Sequence, residues 1–431
     1  MDESPQDAFF FHTCLDFAMR WSRLASAHRS LMHRGLCTAS SESVLIAAPP
    51  RMRVVDLHRP AALNALNHEM VATLLPLVQN WQQIDGDVKL VVFRGAGERA
   101  FCAGGDIRFL RKCAMSGTHE GRAPAIAFFK EEYTLNHAIG TSRTPIVSIL
   151  NGIVMGGGVG LSVHGHVRVA TDTTIFAMPE TGIGFFPDVG GTYFLPRLRG
   201  SLGMYLGLTG ARLRGRDLLT AGVATHFVPA ERIDALEMLL LELAGKTAGK
   251  TNTLESNQDF VDLEVLRRAI STLDQLAPAS AYTSASSPPI KLSEQMLAEI
   301  DETFSLGEVW EIVAAVQRLA GTAVGPEHWA VAAANELSRA SPTSLIVTHE
   351  ALKRGKACKS LAACLQMEFR IAQRFLKHPD FVSGVGAVLS KGAEPASWSA
   401  PPSKAELEEW FVTGEGGDLV LYGPGAARAG S

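Results

Sequence analysis

Three glycine-rich clusters in the first half of the chain combine backbone freedom with acidic side chains. They read Ala100-Phe-Cys-Ala103-Gly104-Gly105-Asp106-Ile107, Asn151-Gly-Ile-Val-Met-Gly156-Gly157-Gly158-Val-Gly160-Leu, and Phe176-Ala-Met-Pro179-Glu180-Thr-Gly-Ile-Gly-Phe-Phe-Pro187-Asp188-Val-Gly-Gly191. Where a strand passes into a helix, a glycine run lets backbone N–H groups approach a ligand with no side chain in the way. At a helix N-terminus those amides are unpaired and backed by the positive end of the helix dipole. Two of them converging on one oxygen make an oxyanion hole, the device of acyl-transfer chemistry. Taken singly, each feature has a plainer reading. The glycines serve tight packing, Glu180 after Pro179 is a helix N-terminal charge, and Asp188 is an N-cap before Val-Gly-Gly-Thr-Tyr. Together they resist explanation by capping.

Other motifs of the chain do not hold up chemically. Gly95-Ala-Gly97-Glu-Arg-Ala100 has the spacing of a dinucleotide fingerprint but runs into Phe-Cys-Ala-Gly-Gly instead of opening a helix. The stretch Gly245-Lys-Thr-Ala-Gly249-Lys250-Thr251 has three residues between its glycines where a P-loop needs four. His164 and His166 are metal ligands by type, yet no Asp, Glu or Cys lies near them in sequence, and no metal is expected. Six scattered cysteines, with no CxxC and no paired spacing, read as reduced thiols. No Gly-x-Ser-x-Gly elbow occurs, so any hydrolysis must use other groups.

The elements that would position these clusters follow from patterning. The chain has 431 residues, 46% of them apolar and 19% charged, with a net charge of −4. That is a globular composition with no basic face for nucleic acid or a membrane surface. Strands are expected at Met52–Leu57, Leu90–Arg94, Pro145–Leu150, His166–Ala170 and Val223–Val228, alternating with helices from Asn67 to about Ile84 and from near Glu231. Such alternation indicates an α/β core with crossovers. Thr144 to Val167 lacks charge, but its six glycines break it into strand, turn and short helix rather than a membrane span. The expected organisation is an N-terminal extension over 1–43, a catalytic core over 44–245, a linker or insertion over 246–290, a helical region over 291–400, and a frayed Pro- and Gly-rich tail over 401–431. Within the extension, Arg20, Arg23, Arg29 and Arg34 alternate with apolar residues and serines, and no acid intervenes between Met19 and Glu42. That is the pattern of a mitochondrial matrix presequence.

These motifs together resemble the enoyl-CoA hydratase/isomerase (crotonase) superfamily over about residues 44–243, and within it a branch that hydrolyses short 3-hydroxyacyl-CoA thioesters. Ser-Pro-Thr-Ser-Leu (341–345), Cys-Leu-Gln-Met-Glu-Phe-Arg (364–370) and Asp380-Phe-Val-Ser-Gly-Val are similar to that branch as well. The resemblance implies an α/β fold with a crotonase-like (ββα) spiral core and an extended helical C-terminal region. It implies that Ala103 and Gly157 donate the oxyanion-hole amides and that Glu180 and Asp188 are the catalytic acids. Glu132 would join Gly157, Glu180 and Asp188 around the substrate, and Ala103, Gly104, Gly105 and Asp106 would line CoA. Without the resemblance, Glu132 in Phe-Phe-Lys-Glu131-Glu132-Tyr reads equally as the solvated side of a helix.

On that likeness the partner is a small-molecule acyl-CoA whose CoA is part of the substrate, with no separate cofactor. The setting is valine degradation in the mitochondrial matrix, and a homo-oligomer is compatible with a superfamily that is mostly trimeric or hexameric. Two departures matter. Hydratases of the superfamily carry a glutamate three residues after the middle glycine of the Gly-Gly-Gly run, where this chain has Gly160. The C-terminal motif usually has an Arg where this chain has Gly386. The rival expectations are a hydratase or isomerase, which Gly160 opposes, and a non-catalytic mitochondrial ribosomal component, which the two retained acids oppose.

Overall fold

A computed structural model describes residues 41–82, 87–246, 260–275, 292–325 and 328–421. The first 40 residues, and with them nearly all of the expected presequence, lie outside the described residues.

Among the described residues ten strands form two sheets. Strands β1 (Val44–Ala47), β2 (Met52–Leu57), β3 (Leu90–Gly95), β5 (Ile146–Leu150), β7 (Val167–Ala170) and β10 (His226–Phe227) make the larger sheet, hydrogen-bonded in that order. All its pairings are parallel except β1 with β2. Strands β4 (Ala100–Cys102), β6 (Ile153–Met155), β8 (Ile175–Ala177) and β9 (Leu213–Arg214) make the smaller one. Consecutive strands alternate between sheets: β3 then β4, β5 then β6, β7 then β8. Because parallel neighbours need crossovers, each turn must return through helix or loop, and the chain winds as a spiral.

Helices α1 (His68–Asn80), α2 (Ile107–Met115), α3 (His119–Gly140) and α4 (Gly157–Ser162) belong to these turns, followed by α5 (Gly191–Phe194), α6 (Leu202–Thr209), α7 (Asp217–Thr220) and α8 (Ile233–Lys246). Local chemistry sets their starts. The Asn67 side chain accepts from the Met70 amide, Asp106 from Phe109, and Thr118 from Gly121. Gly245 and Lys246, which begin the P-loop look-alike, end α8, and the rest of it lies outside the described residues; the dinucleotide look-alike leads into β4 rather than a helix. Among the described residues no helix is long and apolar enough to cross a membrane, and the uncharged stretch from Thr144 folds as β5, β6 and α4.

The larger sheet is covered on both faces, which is why its strands read as continuous apolar runs. Val55, Leu57, Val91, Phe93 and Leu150 face inward with Met70, Val71, Leu74 and Val78 of α1. Met52, Val54, Leu90, Val92, Val147, Ile149, Val167 and Val169 face the other way, against Leu236, Leu240 and Ala244 of α8. That face is completed by helix α9 (Leu263–Gln275), whose Leu266, Ala269, Ile270 and Leu273 are buried on it. Residues 263–275, expected as linker, are therefore a helix of the core. Their apolar side is legible only against the sheet that it covers.

The C-terminal region is helical: α10 (Glu294–Phe304), α11 (Val309–Thr322), α12 (Trp329–Arg339), α13 (Pro342–Ala357), α14 (Leu361–Phe375), α15 (Pro379–Leu389) and α16 (Lys404–Glu409). Helix α14 packs on α3 and α5, and α15 packs on α2 and on the 3-10 turn Glu180–Ile183. The last contact is backbone to backbone: a Cβ on Gly384 would sit 2.4 Å from the Ile183 carbonyl carbon. The tail expected to fray is ordered as far as the description reaches. Trp410, Phe411 and Leu419 are buried. Glu415 pairs with Arg122 at 2.9 Å and with Lys377 at 2.7 Å, and the Gly416 amide donates to Gln373 Oε1 at 2.6 Å. Its glycines permit close approach to α14 rather than disorder.

If α9 is core, Leu266→Ala will destabilise the protein by about 2–4 kcal/mol, read as a fall in the urea midpoint with the slope unchanged. A linker position would leave the midpoint where it was.

Candidate active site

The spiral brings the three glycine clusters to one cavity of about 830 Å³. Ala103, Gly104, Gly105, Asp106, Glu132, Gly157, Glu180 and Asp188 all line it, although they come from four separate stretches of chain. Phe128, Phe129, Phe185 and Phe381 supply an aromatic wall, with Phe129 and Phe185 stacked at 5.7 Å between ring centres. Arg59, Arg108 and Arg212 lie on its lining as well.

The amides divide into engaged and free. The Ala103 N–H, expected as an oxyanion donor, donates to Leu63 O at 3.0 Å and is spent there. Two residues on, a parallel bridge to Leu66 uses Gly104 O, at 2.8 Å from the Leu66 amide, and the Asp106 N–H, at 2.9 Å from Leu66 O. In extended backbone successive N–H groups point to opposite edges, so the Gly105 amide faces away from Leu66. It has no acceptor among the described residues, and its nitrogen lies 3.4 Å from where a Cβ on Gly157 would be. Gly157 itself opens α4 after Gly156, whose φ of +45° only glycine adopts readily, and its amide is likewise free among the described residues. The facing free amides are thus Gly105 and Gly157, which corrects Ala103.

Three carboxyl groups surround this pair. Glu132, on α3, is 2% exposed, and its Oε1 lies 2.8 Å from the Cβ position of Gly157. The solvated glutamate of that dipeptide is its neighbour Glu131, which pairs with His68 at 2.9 Å. Glu180 opens the 3-10 turn; its Oε1 lies 3.1 Å from the Cβ position of Gly156, and its buried Oε2 has no hydrogen-bond partner. The Asp188 carboxylate does not cap α5 but accepts a hydrogen bond from the Tyr133 hydroxyl at 2.6 Å. Burial, and then the charge of Asp188, pushes Glu132 and Glu180 well above the usual carboxylate range. Burial raises Asp188 to about 7, against the opposing pull of Tyr133. Such crowding makes the three carboxyls share protons rather than ionise together.

The two departures have physical explanations. A Cβ on Gly160 would lie 2.7 Å from Val189 Cβ and 2.8 Å from Asn136 Nδ2, so the place of a hydratase glutamate is already filled. Beside Gly386, the guanidinium of Arg111 on α2 comes within 3.0 Å of the Cβ position, and its Nε donates to Val382 O at 2.9 Å. A basic group occupies that spot after all, from another helix. His164 is packed, donating through Nε2 to Val189 O at 2.8 Å, and His166 Nδ1 accepts from the Ile146 amide. Among the described residues no cluster of three or more His, Cys, Asp or Glu is arranged to hold a metal. Sequence reasoning missed Tyr133. The signal was there, since Phe128, Phe129, Glu132 and Tyr133 share one side of α3 at helical spacing.

The chain is similar to known proteins over most of its length. A family model described as enoyl-CoA hydratase/isomerase matches residues 52–412. A mitochondrial 3-hydroxyisobutyryl-CoA hydrolase of Danio rerio is 41% identical over 391 residues, covering 90% of this chain and 92% of that protein. A small ribosomal subunit protein mS47 of Neurospora crassa is 39% identical over 86% of this chain and 71% of that one. Among solved structures, a carnitinyl-CoA dehydratase from Mycobacterium thermoresistibile is 35% identical with a TM-score of 0.72, covering 89% of this chain and 100% of that one.

Asp188 binds its proton more tightly folded, at about 7, than at its ordinary 3.8, so its neutral form favours the fold. That contribution is whole below about pH 4 and is lost as pH rises through 7. Asp188→Asn should therefore match the unsubstituted protein in stability at pH 4 and exceed it by about 2–4 kcal/mol at pH 8, measured by urea denaturation at both pH values.

Proposed function

The chain belongs to the enoyl-CoA hydratase/isomerase family, and from that premise we propose that it hydrolyses the thioester of 3-hydroxyisobutyryl-CoA to free acid and CoA, with 3-hydroxypropionyl-CoA as a second guest. The relatives named as this hydrolase support the reading at about 40% identity over most of the chain, and their mitochondrial designation supports the same compartment here. The observation that carries it is the meeting of two free amides and three buried carboxyls in one hollow. Hydration across a double bond needs a second glutamate at Gly160, where no side chain fits.

The thioester oxygen sits on the Gly105 and Gly157 amides, which gain strength as that oxygen becomes an oxyanion. Glu180, with an unpartnered oxygen, takes a proton from water as the water oxygen bonds to the carbonyl carbon. The tetrahedral intermediate collapses with cleavage of the carbon–sulfur bond, and the departing thiolate is protonated from the carboxyl cluster, returning the proton that Glu180 took. Asp188, held by Tyr133, accepts the substrate's 3-hydroxyl. The turn Ala103–Asp106 lies along the cavity where CoA enters, with Arg59 paired to Asp106 at 3.3 Å.

A second reading comes from the ribosomal relative, in which the same fold is a structural component. Three carboxyls buried together serve no scaffold, and their electrostatic cost favours the enzyme. Co-sedimentation with mitochondrial ribosomes in place of thioester turnover would favour the scaffold.

In a free-thiol release assay, 3-hydroxyisobutyryl-CoA should be turned over, and the enoyl absorbance of crotonyl-CoA should persist because it is not hydrated. Glu180→Gln should lower kcat by about 10²–10⁴-fold with CoA-ester binding retained. Because burial raises Glu180 well above the usual carboxylate range, its ionised fraction is still growing above that range, so kcat should climb with pH there. Turnover surviving in Glu180→Gln within tenfold would remove Glu180 from this role.

A further inference from the structure

Asp188 is followed at once by unusual backbone. Val189 has φ +51° and Gly190 φ +84°. For a β-branched residue the left-handed region is strained, costing on the order of 1–3 kcal/mol, and it persists only where the surroundings enforce it. Two side chains enforce it here. His164 donates through Nε2 to Val189 O at 2.8 Å. Glu368 accepts three more hydrogen bonds from the turn: the Gly190 amide at 2.7 Å on Oε2, and the Thr192 amide at 2.8 Å and hydroxyl at 2.6 Å on Oε1, while the Gly191 amide donates to Asp188 O at 2.7 Å.

Glu368 lies on α14, in the C-terminal helical region, and is fully buried. It does not line the cavity, so it touches no substrate. A carboxylate placed so deep is costly unless each oxygen is satisfied, and three donors from one short turn satisfy both. Neither flank of that turn is free: Tyr133 fixes the Asp188 carboxylate on one side, and α13 abuts the Thr192 carbonyl on the other, where a Cβ on Gly355 would come within 2.0 Å of the oxygen.

We propose that Glu368 is a positioning residue for the reaction, clamping the strained turn Val189–Thr192 so that Asp188 meets the Tyr133 hydroxyl and the substrate together. This rests on the reading of Asp188 as a group that holds substrate. Without the clamp, Val189 relaxes out of the left-handed region and carries the Asp188 carboxyl away from its register. The C-terminal helices thereby complete the site without contributing a group that touches the reacting atoms.

The test compares Glu368→Gln, Thr192→Val and Asp188→Asn in the full chain, with kcat, KM and thermal midpoint measured on 3-hydroxyisobutyryl-CoA. Glu368→Gln should lower kcat about tenfold or more while KM stays within about threefold, as ångström-scale misplacement of a substrate-positioning group does. Thr192→Val, which keeps the backbone donor, should lower kcat about threefold in the same manner. A Glu368→Gln enzyme whose midpoint falls while kcat stays within twofold would reduce Glu368 to a helix cap and overturn the proposal. Should that variant fail to fold, wild-type kcat in Thr192→Val overturns it instead. Activity persisting in Asp188→Asn would sink the reading beneath it, whereas inactive Asp188→Asn beside active Glu368→Gln would sink this inference alone.

Discussion

Burying a carboxyl group is unfavourable, and this protein buries three around one hollow with a fourth close behind. Glu132, Glu180 and Asp188 crowd the free amides of Gly105 and Gly157, and Glu368 stands beyond the turn that follows Asp188. Burial pushes all four toward their protonated forms, and hydrogen bonds further ease the burial of two of them. Asp188 has a phenol hydroxyl, and Glu368 has three donors from one turn. The buried Oε2 of Glu180 has no hydrogen-bond partner among the described residues, as befits a group that must exchange a proton with a guest.

The spiral architecture is what brings such groups together. Parallel strands allow every turn of chain to deliver its glycine-rich strand-to-helix junction to the same side, so free amides and acids collect at one depth. Helix α15 then closes on the Glu180 turn, and α14 on the turn after Asp188, in contacts close enough that backbone meets backbone or carboxylate meets amide. The helical C-terminal region is therefore part of how the site is held, not an attachment to it.

Differences of chemistry within the family are likewise matters of space. With Asn136 and Val189 packed over Gly160, a single substitution there introduces a clash before it introduces an acid. At Gly386 the opposite holds: the absent side chain leaves room that Arg111 fills from across the cavity's flank, keeping a positive charge where the usual one is missing.

Much of this was readable from the chain itself. Strands β2, β3, β5, β7 and β10 of the larger sheet, and the start of α1 at Asn67, are decided within a few residues and so are written in local spacing, whereas the short strands of the smaller sheet are not. Spacing does not decide which amide is free. Ala103 and Gly105 are equally eligible until Leu63 and Leu66 take the hydrogen bonds that they take. Nor does it decide which of two adjacent glutamates is buried, that residues 263–275 cover a sheet, or that the glycine-rich tail packs on α14. The meeting of Glu368 with Gly190 spans 178 positions. Sequence alone fixed the inventory of donors, acids and turns. Only the folded chain decided their partners, because a hydrogen bond is spent once, and what spends it lies far away along the backbone.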